Sequence, residues 1–144
     1  MVAANKNRNT PQRAGGARGH GVKAGVLCHA GTIAVMGADG FAKPGTTATG
    51  LVALGRFDEQ VDNTGGADGE KLAPISRGNF RYANSTSADE ITAADVGKVC
   101  YIVDDQTVAL TSATSSRSPA GLIDGVDDAG VWVNIDPTNG VAAN

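Results

Sequence analysis

Short apolar runs, each broken off by Gly, Asp, Asn or Pro, dominate the chain from Val22 onward: VKAGVLC, TIAVMG, GLVALGRF, KLAPISRGNFRYA, GKVCYIV, TVALT, AGLIDGV and GVWVNI. Most have the length of a strand, and runs punctuated so regularly predict an all-β domain, a sandwich or a small barrel. Three stretches, AVMGADGFA, YIVDDQTVA and GVDDAGVWV, share one plan: an apolar strand enters a short acidic or glycine-containing turn and a second strand returns. That plan is a β-hairpin, because Asp and Asn side chains hydrogen-bond the local backbone and favour the turn. Pro74 has no N–H to give a ladder, so its run is expected at a sheet edge or a bulge. Only SADEITAADVG reads as helical: Thr92 suits an N-cap, Asp95 the capping-box acid, and Gly97 stops the segment after one or two turns.

The opening segment MVAANKNRNTPQRAGGARGHG has neither the strand nor the helix period. It buries too little to offset the entropy of ordering it, so it is expected to be an extended or disordered arm. Fully stretched, about 20 residues at ~3.3–3.6 Å each reach about 70 Å, enough to cross a neighbouring subunit. The resulting plan is an arm at 1–21, a β domain at 22–136 and a C-terminal tail at 137–144.

Composition sharpens this picture. Twenty glycines and an apolar content of 41%, mostly Ala and Val with 4% aromatic residues, favour thin, turn-rich layers. A chain of 144 residues fits one domain that buries roughly two-thirds of its unfolded surface. No run approaches the roughly 20 apolar residues of a membrane span, and no apolar signal core follows the basic N-terminus, so a soluble protein made in the cytosol is expected. Cys28 and Cys100 sit in apolar strand-like runs, where a free thiol packs as a small hydrophobe and a disulfide is disfavoured by compartment. The net charge of −3 hides an asymmetry: residues 1–23 carry Lys6, Arg8, Arg13, Arg18 and Lys23 with no acid, against seven basic and fifteen acidic residues elsewhere. The chain is a basic arm on an acidic body.

No chemistry-bearing constellation emerges. Asp104 and Asp105 lie near Cys100 as a metal or acid/base site would place them, yet strand alternation turns the two carboxylates apart and a turn accounts for both. Asp127 and Asp128 read the same way. His20 and His29 are the only histidines, and with Cys28 beside His29 they fall short of the four ligands of structural zinc. Hard oxygen ligands crowd residues 58–70 (Asp58, Gln60, Asp62, Asn63, Asp68 and Glu70), but their spacing departs from the EF-hand loop, and a solvated acidic loop is the simpler reading. No nucleophile elbow or triad spacing is present, and GGARGHG lacks the ending of a phosphate loop. The expectation is a non-enzyme without metal or cofactor. Its arm has no aromatic residue to stack on bases, which weighs against nucleic acid as the partner. An acidic protein surface fits it better, and a plain solubilising tail is the bland alternative.

The order of VKAGVLCHAGTIAVMGADGFAKPGTTATGLVALGRFDEQVDNTGGADGE, GNFRYANS, ITAADVGKVCYIVDDQTVALT and RSPAGLIDGVDDAGVWVNI resembles the small capsid cement, or head decoration, proteins of tailed bacteriophages. The resemblance runs from about Val22 to Ile135, and its most specific parts are ITAADVGKVCYIVDDQTVAL and SPAGLIDGVDDAGVWV. It implies a barrel or β-tulip domain that oligomerises on the outside of a mature head, as trimers in many such proteins and dimers in others. It brings no catalytic residues. It implies the major capsid protein as partner, and from charge and flexibility the capsid-binding residues expected are Lys6, Arg8, Arg13, Arg18 and Lys23. Trp132, the only tryptophan, is expected to anchor either the core or a subunit interface. Other readings are a minor head protein contacting nucleic acid, and a β-rich tail or baseplate module binding glycans.

Overall fold

The structure, a computed structural model, describes residues 5–8 and 15–141. Period-two burial is plainest in the last strand, Gly130–Ile135, where Val131, Val133 and Ile135 are buried and Trp132 points outward. The same alternation, interrupted by turns, gives twelve strands among the described residues: β1 (Ala17–Gly21), β2 (Leu27–Cys28), β3 (Ile33–Met36), β4 (Ala42–Pro44), β5 (Val52–Phe57), β6 (Val61–Asp62), β7 (Leu72–Ser76), β8 (Gly78–Asn84), β9 (Val99–Ile102), β10 (Thr107–Ala109), β11 (Pro119–Asp127) and β12 (Gly130–Ile135). The fold is all-β, as the sequence predicts. Strands β10-β8-β12-β11-β9 close into a barrel, β1-β7-β5-β3-β4 form a five-stranded sheet, and β2 pairs with β6.

Two apolar clusters hold these parts together. Ile102, Ile123, Val131 and Val133 inside the barrel pack with Ile33, Val35 and Leu51 from one side of the five-stranded sheet. Ala34, Leu54, Phe57 and Ile75 on the other side pack with Val22, Cys28 and Val61. Strand β3 is therefore covered on both faces, with Ile33, Ala34 and Val35 all at 0% exposure. Complete burial of each large side chain contributes about 1.5–3 kcal/mol, which explains why a chain poor in aromatics still supports a core. The β3–β5 ladder shifts register between Ala34 and Val35, opposite Gly55 at φ +149°. A Cβ on Gly55 would run into the Ser76 carbonyl, so the close approach of β5 to β7 requires glycine there.

All three sequence-predicted hairpins form: β3–β4, β9–β10 and β11–β12. Each turn is closed by an aspartate accepting the amide N–H two residues on: Asp39 from Phe41 at 3.1 Å, Asp104 from Gln106 at 2.9 Å and Asp127 from Ala129 at 2.8 Å. The β9–β10 turn also stitches barrel to sheet, since Ile33 N–H donates to the Asp105 carbonyl at 2.8 Å and Thr47 Oγ1 to the Val103 carbonyl at 2.7 Å.

Other expectations are corrected. The segment read as a short helix is two separate 3-10 turns, Ser87–Asp89 and Ala93–Asp95. The predicted capping acid does act, as Thr92 N–H and Oγ1 both donate to Asp95 Oδ2. Strand β7, carrying Pro74, is interior between β1 and β5. Pro74 is tolerated because the β5 ladder ends at Phe57↔Ile75, beyond which Asp58 N–H donates to the Pro74 carbonyl and no reciprocal N–H is needed. Strand β1 lies inside the segment read as an arm: Arg77 N–H donates to the Gly16 carbonyl, and Ala17 to Gly21 pair with Ser76 to Leu72.

Candidate interaction surface

The thiols and carboxylates that invited a chemical reading are dispersed by the fold. Cys100 is fully buried in the barrel and Asp104 is exposed at the hairpin tip, so the two share no site. Burial pushes the Cys100 thiol up to about 12 and the Cys28 thiol up to about 11. Both cysteines are free and packed as apolar side chains. His29 is exposed beside buried Cys28, and among the described residues no three His, Cys, Asp or Glu side chains gather as metal ligands would.

The acidic 58–70 segment is likewise spent on local structure. Asp58 accepts from Ser76 Oγ and pairs with Arg56, Asp62 accepts from Thr64, Asp68 accepts from Ala24 N–H, and Glu70 accepts from Ala67 N–H. At its centre lies buried Asn63, whose structural role no local pattern announces. Its Nδ2 donates to the carbonyls of Val22, Lys23 and Ala67 at 3.0–3.2 Å, tying the root of the N-terminal segment to this loop. An Asn in a polar run has no hydrophobic signature, so only the fold exposes its role.

Of the five basic residues expected to bind a partner, four are described, and they lie in different surroundings. Lys6, at a bend, and Arg8 are exposed, and Arg13 lies outside the described residues. Arg18 sits in β1, half-buried, with Nη1 donating to the Ala17 carbonyl. Lys23 is held within the body, 2.8 Å from Asp39 and 3.4 Å from Asp68. Its ammonium in turn holds the Asp39 carboxyl below the usual carboxylate range. Within β1, burial followed by the Arg77 and Arg18 charges lowers the pKa of His20.

Trp132 does not anchor the core. It stands on the outer face of the barrel, 37% exposed, because its place on β12 alternates with buried Val131 and Val133. Its Nε1 donates to Asp127 Oδ2 at 2.8 Å, and the Arg81 guanidinium lies 5.6 Å from the ring centre and 3.7 Å from Asp127. Donation from Trp132 and then from Ala129 N–H lowers the Asp127 carboxyl. Arg81 and Trp132 face each other across β8–β12, a pairing that needs the strand register and is invisible to sequence periodicity. The cluster is a preorganised amphipathic patch: an aromatic plane whose polar edge and cationic neighbour are already fixed.

No helix among the described residues is long and apolar enough to cross a membrane. No family model matches the chain, and no curated protein or solved structure is significantly similar to it.

Proposed function

We propose that this chain is a capsid decoration, or cement, protein of a tailed-bacteriophage head, a structural component of the virion made in the bacterial host cytoplasm. It binds the outer surface of the expanded shell as a symmetric oligomer, a homotrimer in the first instance, and its basic segment contacts neighbouring major capsid subunits. The observation that supports this reading is the division of labour on the surface. Most of the body's acids are committed to turns and local pairs, while Lys6 and Arg8 and the Trp132–Arg81–Asp127 patch are displayed outward. Such a body suits binding better than turnover, and the chain is accordingly not an enzyme. The patch supplies the contact between copies and the basic segment supplies the contact with acidic side chains of the shell. Stabilisation then follows from linkage, because a ligand that binds the expanded shell alone raises its resistance to rupture. Repetition by symmetry lets modest contacts suffice.

The test is removal of residues 2–14, a cut that stops short of β1 so that the sheet stays whole. The truncated protein is expected to bind empty expanded heads more weakly than the full chain, with a melt that is unchanged. Saturation at the same concentration as the full chain would remove the role given to the basic segment. Duplex DNA in a salt series separates the nucleic-acid alternative, which requires retention at low salt and a steep loss as salt rises.

A further inference from the structure

Charges of both signs enter no ion pair among the described residues, Lys43, Lys71, Glu59, Asp104, Asp105 and Asp124 among them. Lys6 and Arg8 on the basic side and Glu90 and Asp128 on the acidic side, all four exposed, belong with these, and the last two fall together. Glu90 and Asp128 line a single groove of about 640 Å³, a size typical of ligand clefts. One wall is the backbone at 83–86 and 90–92 with Ala93 at the start of a 3-10 turn, the other is the β11–β12 tip, and Ile91 and Val126 contribute apolar lining. Neither Lys nor Arg lines it, and Asp127 adds a third carboxylate. Strand β8 continues to Asn84, past its last pair with β12 at Val131↔Tyr82. Ala83 and Asn84 pair with β10 on one side, with Ala83 N–H donating to the Gln106 carbonyl, so only the short end on the β12 side lacks a strand.

We propose that the groove receives the basic N-terminal segment of a second copy of this chain, with Lys6 and Arg8 against Glu90 and Asp128 and the extended backbone along the open end of β8. Charge complementarity and the free strand edge name the occupant, since an extended basic segment satisfies both. Residues 5–8 of its own chain are exposed and do not line the groove. From Gly16, held by Arg77, back to Lys6 the chain can span about 35 Å, close to the breadth of a domain of this size, so the segment reaches a touching copy. The contact joins unlike surfaces, so repeated copies form a ring where the rotation between them closes and an open filament where it does not. Lys6 and Arg8, which the capsid-binding reading places on the shell, occupy this groove in the free protein, where the contact adds to that at the Trp132 patch. Because it is read without a shell, its failure is distinguishable from failure of the capsid-binding reading.

The experiment mixes isotopically labelled and unlabelled full-length protein, couples amines to carboxylates with a zero-length carbodiimide, and reads the joined peptides by mass spectrometry. Lys6 is expected to be joined to Glu90 or Asp128 in pairs of mixed label. The yield should fall about fivefold or more at about 1 M salt, where the screening length is about 3 Å. The double variant Glu90→Gln, Asp128→Asn should retain its melt but show a lower mass by light scattering. Links of like label only, links of Lys6 only to carboxylates outside the groove, or an unchanged mass for the double variant would overturn the proposal.

Discussion

Aspartate in this protein is a turn-former before it is a charge. Asp39, Asp62, Asp104, Asp127 and Asp136 each accept the amide N–H two residues on, and this shared geometry explains why acids recur after apolar runs. Replacing Asp104 by Ala removes the acceptor and should lower the melting temperature by a few degrees, while Asn keeps an oxygen in place and should cost less. Hydrogen-bonded partners depress the carboxyls of Asp39, Asp62, Asp127 and Asp136, each most strongly through a side-chain donor: Lys23, Thr64, Trp132 and Thr138. A depressed acid stabilises the folded state above its unfolded value of about 3.9, and that contribution is lost as pH falls through the lower folded values. His20 has the same sign at a higher pH. Its lowered folded pKa means that the unfolded chain takes up the proton first, so stability declines as pH falls below about 6.5. His20→Gln should flatten the melting temperature between pH 7 and pH 5, as judged by thermal melts across about that range; an unaltered slope would show that His20 is not the group responsible.

Among the elements, the hairpins were legible in the sequence because both signals they need are local: period-two apolar residues and a short acidic turn. Strand β1 was not, since ARGHG offers no apolar alternation and contributes no residue to either core cluster. It is held by the ladder to β7, a partner more than fifty positions away, which no local pattern announces. The 3-10 turns show the converse: Thr92 and Asp95 were readable as a capping pair, but too few residues follow for an α-helix to nucleate. Extending the N-terminal deletion from residues 2–14 to 2–21 should therefore lower stability by removing β1, whereas the shorter deletion leaves the melt in place. Gly55 tests the packing between β5 and β7. Gly55→Ala is expected to cost about 3 kcal/mol, the upper end for overpacking, measured by urea denaturation.

For the whole molecule, the sequence conveyed the fold class and the charge asymmetry, but not which surfaces face outward. Trp132 was open between core and interface because one tryptophan in an apolar run fits either, and the register of β12 decides for the surface. Trp132→Ala should leave a cooperative melt and reduce the mass of the proposed oligomer by light scattering; unchanged mass would take the patch out of the proposed contact between copies. Of the four basic residues described, Lys6 and Arg8 are the exposed ones, a distinction set by tertiary pairing such as Lys23 with Asp39 and Asp68. The central claim is that this protein decorates a shell, and its copy number in purified virions tests that most directly. Quantitative mass spectrometry should return a stoichiometry close to that of the major capsid protein. A number matching one vertex or one tail would contradict it.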